Sequence, residues 1–146
     1  MYMKNKVILK AIIDIAGKPS ELVSKTLDQV LNKLEEEENT QVIDVIKAEP
    51  DLQDEQSGMY TAFLEVELEF LNIRYAMNFI VEYLPTSVEI LEPSSVKVTN
   101  EQLTEVLNDM AHFQIKNLNE NHKLKAHNHI LQKQIKELEQ RTNIKN

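Results

Sequence analysis

Residues 60–70 read YTAFLEVELEF, and this stretch decides the fold class. Tyr60, Ala62, Leu64, Val66, Leu68 and Phe70 alternate with Thr61, Phe63, Glu65, Glu67 and Glu69. Side chains along a strand point to alternate faces, so the period of two predicts a strand with one face in a core and a glutamate-bearing face in water. Residues 6–16 carry a related signal. Val7, Leu9, Ala11, Ile13 and Ile15 form a wholly apolar set, while Ile8, Lys10, Ile12, Asp14 and Ala16 form a mixed one. That combination suits a central strand covered well on one side only.

The segments between and beyond these strands complete an α+β order. Gly17 allows a tight turn, and Pro19 suits the opening of a helix because its missing N–H costs nothing in a first turn. The stripe Leu22, Val23, Thr26, Leu27, Val30, Leu31 and Leu34 follows at helical spacing and ends at the acidic run 35–38. Residues 41–49, with Val42, Ile43, Val45 and Ile46, read as a strand stopped by Pro50, and residues 51–58 read as a polar, acidic loop. Asn72 is placed to cap a second helix with Ile73, Ala76, Met77, Ile80, Val81 and Leu84 on its buried side. Pro85 ends that helix, and Val88, Ile90 and Leu91 supply a short edge strand before Pro93. This βαββαβ order, with an antiparallel sheet and two helices on one face, resembles the ferredoxin-like superfold over residues 6–98. The resemblance implies that the first and third strands are central; it implies no function.

A different signal fills the last third. Thr99 and Gln102 fit a capping box. From there Leu103, Met110, Asn117, Leu124, Leu131 and Leu138 occupy one seam position of a seven-residue register, and Leu107, Gln114, Asn121, Asn128, Ile135 and Thr142 the other. The pattern predicts a long C-terminal helix with coiled-coil character, and hence two parts, a body of residues 1–98 and a helix of residues 99–146. Val106, Ala111 and Phe113 broaden the apolar stripe at its start, which is expected to pack on the body, whereas beyond Leu118 only the narrow seam remains. Asn121 and Asn128 fall where a buried asparagine pairs across a parallel two-stranded coil, with Glu120 and Lys125 flanking. Asn121, Leu124, Asn128, Leu131, Ile135 and Leu138 are therefore the candidate interaction seam. The expected occupant is a second copy of the chain or a heterologous helical protein, the remaining alternative being a terminal helix without a partner.

Composition narrows the chemistry. The chain has 146 residues, 42% hydrophobic and 27% charged, which predicts a folded protein. It has no cysteine, excluding disulfides, thiolate nucleophiles and cysteine metal sites. Lys4, Lys6, Lys10 and Asp14 interrupt the apolar N-terminal stretch and no run reaches membrane-spanning length, so a soluble cytoplasmic protein is expected. Residues 1–99 carry nine Lys or Arg against eighteen Asp or Glu, a net −9, while residues 100–146 carry seven against six, a net +1. The acidic body argues against nucleic-acid binding, and Phe63 is the one aromatic on the face where RNA-binding sheets stack bases. His112, His122, His127 and His129 lack the four-residue spacing that puts two imidazoles on one helical face, and the Glu65, Glu67 and Glu69 face offers no cleft for a general acid. With only Gly17 and Gly58, no glycine-rich phosphate loop can form. No catalytic residue, metal or cofactor is expected.

The non-enzymatic expectation is an interaction or scaffolding module that self-associates through its C-terminal helix and sheet face. Ile8, Ile12, Ile43 and Val45 make that face too apolar to stay wet, so the start of the C-terminal helix or a second subunit should cover it. One other reading rests on residues 14–22, DIAGKPSEL, which resemble the strand-to-helix turn of ACT-type regulatory domains. Those domains share the βαββαβ order and bind amino acids between subunits. The resemblance implies a ligand turn of Asp14, Gly17, Lys18 and Pro19 and a small-molecule-sensing function. The turn departs from the adjacent Pro-Gly often found there, and the first helix is longer.

Overall fold

The two stretches of period two become the two central strands of an antiparallel sheet. The computed structural model describes residues 5–145, so expectations for residues 1–4 and 146 lie outside the described residues. In chain order the elements are β1 (Val7–Gly17), α1 (Ser20–Glu36), β2 (Thr40–Lys47), β3 (Asp51–Asp54), β4 (Met59–Phe70), α2 (Ile73–Tyr83), β5 (Ser87–Glu92) and α3 (Asn100–Lys145). The sheet runs β2-β4-β1-β5, with the short β3 pairing β4 beyond this path. β1 and β4 pair along their lengths, from Val7 opposite Phe70 to Gly17 opposite Tyr60. With β3 set aside, the order is that of the ferredoxin-like fold, and the fold class expected from the patterns stands. The chain divides into two units, Met1–Val106 and Leu107–Asn146.

The core lies between one sheet face and the two helices. Val7, Leu9, Ala11 and Ile13 of β1 and Ala62, Leu64, Val66, Leu68 and Phe70 of β4 are buried against Val23, Leu27 and Leu34 of α1 and Ala76 and Phe79 of α2. Pro19 occupies the N-cap of α1, and its carbonyl accepts from the N–H groups of Leu22 and Val23 at 3.1 and 3.3 Å. Asn72 caps α2 as expected, its side-chain oxygen accepting from the backbone of Arg74 and Tyr75. The capping box of α3 is reciprocal: the Thr99 N–H donates to Gln102 Oε1 at 3.1 Å and the Gln102 N–H to Thr99 Oγ1 at 3.2 Å. Within the first unit, Val106 of α3 is buried and Glu105 pairs with Arg74 at the start of α2.

Three local expectations need correction. Part of the expected 51–58 loop is the strand β3, joined to β4 by a turn in which Gly58 adopts a positive φ of 69°, the conformation glycine tolerates. A β-bulge between Val42 and Asp44 changes the facing of β2, so Val45 lies opposite Val66 on the core side while Asp44 and Ile46 join the open face opposite Glu67 and Glu65. The α2 stripe is also turned. Ala76 and Phe79 are buried, whereas Ile80 and Leu84 are exposed, as is Leu22 on α1. Aromatic packing decides the rotation of α2: Phe79 lies 5.6 Å from Phe70 and 5.2 Å from Tyr83 between ring centroids, and such rings bury more surface than Ile80 or Leu84 could offer. Leu84 then leaves the helix in a left-handed conformation, its N–H still donating to the Ile80 carbonyl.

This rotation separates two adjacent side chains energetically. Phe79→Ala is expected to destabilise the protein by about 3–5 kcal/mol, and Ile80→Ala by less than about 1 kcal/mol. Denaturant unfolding checks the contrast; equal losses would place Ile80 in the core.

Candidate interaction surfaces

The open face of the sheet is ordered by the strand registers into rows. One row crosses all four main strands as Asp44, Glu67, Lys10 and Glu89, on β2, β4, β1 and β5 in turn. On one side of it lie Ile46, Glu65 and Ile12, and on the other Glu69 and Ile8. The ammonium of Lys10 does not stay in its own row: it pairs with Glu65 at 2.7 Å. The hydrogen bond to Glu65, reinforced by the charges of Glu65, Glu89 and Glu67, raises the Lys10 pKa. Lys6 pairs with Glu69 at 2.8 Å. Asp44, Glu67 and Glu89 are left without an ion-pair partner among the described residues. They line a shallow depression of about 190 Å³ with Lys10, Ile46 and Leu91.

Directly opposed like charges destabilise a sheet pair, and Asp44 faces Glu67. The face therefore carries more negative charge than its own fold uses. The mixed face of β1 and the glutamate face of β4 are the same side of the sheet, and this brings Lys10 to Glu65. Asp14, farther along the same face of β1, lies opposite Phe63 and accepts from the Thr86 hydroxyl at 2.6 Å. The Asp44 contribution was missed because the bulge has no signature in residues 41–49.

The turn residues Asp14, Gly17, Lys18 and Pro19 are tied to neighbouring backbone and side chains. Lys18 Nζ donates to the Ser57 carbonyl at 3.1 Å, and a Cβ on Gly17 would lie 3.4 Å from Val23. Pro19 serves α1, and Asp14 holds Thr86.

On the other face, the two helices are laced by a cluster that sequence reading did not find. The Tyr83 hydroxyl donates to Glu37 at 2.8 Å, Lys33 pairs with Glu82 at 2.7 Å, and the Lys33 ammonium sits 5.0 Å from the centre of the Tyr83 ring. Burial, then the hydrogen bond to Glu37, pushes the Tyr83 pKa up. The bond to Glu82 raises that of Lys33. The spacing of Phe79 and Tyr83 by one helical turn was the available signal, but the pairing with Lys33 and Glu37 depends on how α1 and α2 meet.

In the second unit the expected seam residues lie along one helix. Asn121, Leu124, Asn128, Leu131, Ile135 and Leu138 are all exposed, Leu124 and Leu138 at 60%. α3 runs unbroken for 46 residues, about 69 Å at ~1.5 Å per residue. No helix of the described residues is long and apolar enough to cross a membrane. Among those residues no group of three side chains is arranged to hold a metal ion.

The sequence pattern of the MJ0538 family matches residues 8–143. The chain belongs to that family. The match runs from β1 nearly to the end of α3, so it takes in both the sheet and the long helix of this chain. Uncharacterized protein MJ0538 of Methanocaldococcus jannaschii is 29% identical over 100 residues, which cover 68% of this chain and 37% of the relative. The chain thus spans little more than a third of that relative's length. No solved structure matches it.

Two outcomes follow from this electrostatic arrangement. Asp44→Asn should leave the fold intact and raise its unfolding free energy by about 0.5 kcal/mol at low salt, because it relieves the opposition to Glu67 while keeping the charges that support Lys10. Chemical denaturation measures the change. Tyr83 binds its proton more tightly when folded than its ordinary value of 10.0 would allow. Its stabilising contribution is therefore full below pH 10.0 and is lost as pH rises toward the elevated folded value. The alkaline fall in stability should be shallower in Tyr83→Phe, and parallel pH profiles would exclude this contribution.

Proposed function

We propose that this MJ0538-family protein is a non-enzymatic interaction or scaffolding module that self-associates through α3 and the sheet face. The observation that carries the reading is the seam itself: Leu124, Leu131, Ile135 and Leu138 repeat in one heptad register and are exposed along a single helix. Such a stripe gains stability by burial against another helix, and long helices in water draw most of their stability from packing. Asn121 and Asn128 interrupt the seam where an asparagine pair selects two parallel strands. Glu120 and Lys125 would then attract across the chains. The carboxylates of the sheet face keep contact with water, which suits recognition rather than acid-base chemistry. A cytoplasmic location fits a chain without cysteine. Residues 1–98 form the body in this reading and residues 99–146 the associating arm. The small-molecule-sensing alternative has less support, since Asp14 and Lys18 are engaged within the fold.

Light scattering on the full chain in about 1 M salt, where the screening length is ~3 Å, isolates the apolar seam. The expected mass is that of a dimer, falling to a monomer in Leu124→Lys/Leu131→Lys. A fragment of residues 1–116 should be monomeric and unfold cooperatively. A full-length monomer at every concentration would overturn self-association through the seam and leave it to a heterologous helix.

A further inference from the structure

In a coil dimer the seam would be buried, but the opposite side of α3 would remain outside, and it has a distinct character. Residues 110–136 contain five lysines and a single acidic residue, Glu120. Counting from the seam, Ile115, Lys116, His122, Lys123, Ile130 and Lys133 fall on the outer side, and Glu120 falls beside the seam. These outer positions are exposed within the chain, Ile115 at 58% and Ile130 at 53%. On the sheet, Ile46 at 53% and Leu91 at 40% are likewise left uncovered beside the acidic row.

We propose that the open sheet face is a docking surface for the cationic outer stripe of α3 from a second copy of this chain. The proposal rests on the self-association reading and adds a second, separate contact to it. Charge complementarity selects the occupant. Two sheet faces brought together would oppose Asp44, Glu67 and Glu89 to themselves, a like-charge arrangement that costs rather than gains. The outer stripe supplies the opposite sign together with the isoleucines that Ile46 and Leu91 need.

Spacing agrees as well. Glu67 and Glu89 flank Lys10 on neighbouring strands, two strand spacings or ~9.6 Å apart. Lys116 and Lys123 lie two helical turns apart, ~10.5 Å along α3. A helix crossing the strands along the Asp44–Glu67–Lys10–Glu89 row can therefore set one lysine on each carboxylate, with uncharged Asn119 between them over Lys10. Because the two surfaces differ, the contact is heterologous, and coil dimers joined by it assemble further into rings or longer arrays.

The full chain is tested by light scattering between about 0.05 M and about 1 M salt, a range over which the screening length falls from above ~10 Å to ~3 Å. The expected result is a dimer at high salt and roughly a doubling of mass or more at low salt. Glu67→Lys/Glu89→Lys should remain folded and dimeric at low salt, and so should Lys116→Glu/Lys123→Glu. Mixing the two variants pairs a cationic face with an anionic stripe and should restore the larger mass. The proposal is overturned if mass does not depend on salt, or if reversing the face leaves the salt-dependent step in place. Leu124→Lys/Leu131→Lys separates the two readings. It should abolish the high-salt dimer yet keep the low-salt rise; loss of the rise in this folded variant would show that the face is no separate contact.

Discussion

The pairing of β1 with β4 is the constraint on which the rest depends. Both strands send every second side chain to the same side, and their register sets Leu9 against Leu68, Ala11 against Val66 and Ile13 against Leu64. A shift of one residue would turn the whole apolar set of either strand to water and bring the glutamates inward. The buried face so formed is what α1 and α2 cover, and both outer strands take their positions from it. The extra strand β3 also pairs with β4, along the part of that strand that precedes its fully buried residues.

The same register builds the opposite face. Because the side chains alternate, burying Leu64, Val66 and Leu68 obliges Glu65, Glu67 and Glu69 to stand together on the other side. Lys6 and Lys10 neutralise Glu69 and Glu65, and the bulge in β2 adds Asp44 opposite Glu67. The acidic character of the face is thus a consequence of how the core is made, while its excess over the available lysines is not required by the core. An excess of one sign at a surface of mixed apolar and charged groups favours partners of the opposite sign and disfavours copies of itself.

The long helix follows a different physical rule. Its start is fixed by the Thr99–Gln102 capping box, buried Val106 and the Glu105–Arg74 pair. Farther along, its seam carries leucines without burial inside the chain, and a narrow apolar line on a helix is stabilised chiefly by another helix. The match to the MJ0538 family covers residues 8–143, and so takes in both the sheet and most of the long helix of this chain.

Sequence by itself determined the four main strands, the helices, the α+β class and the start of α3, because periodicity, proline positions and capping residues act over a few neighbouring residues; the short β3 was not among them. Alternation in residues 60–70 also named one face for the core and one for solvent. Only the tertiary structure decided what depends on residues distant in the chain. The bulge that turned Val45 inward and Asp44 outward is set by pairing with β4. The rotation of α2 was decided by the Phe70–Phe79–Tyr83 aromatic packing, against the aliphatic stripe that its own sequence displays. The row Asp44–Glu67–Lys10–Glu89 joins four strands, and no local pattern specifies it, since strand register is fixed by the sum of burial across the whole sheet.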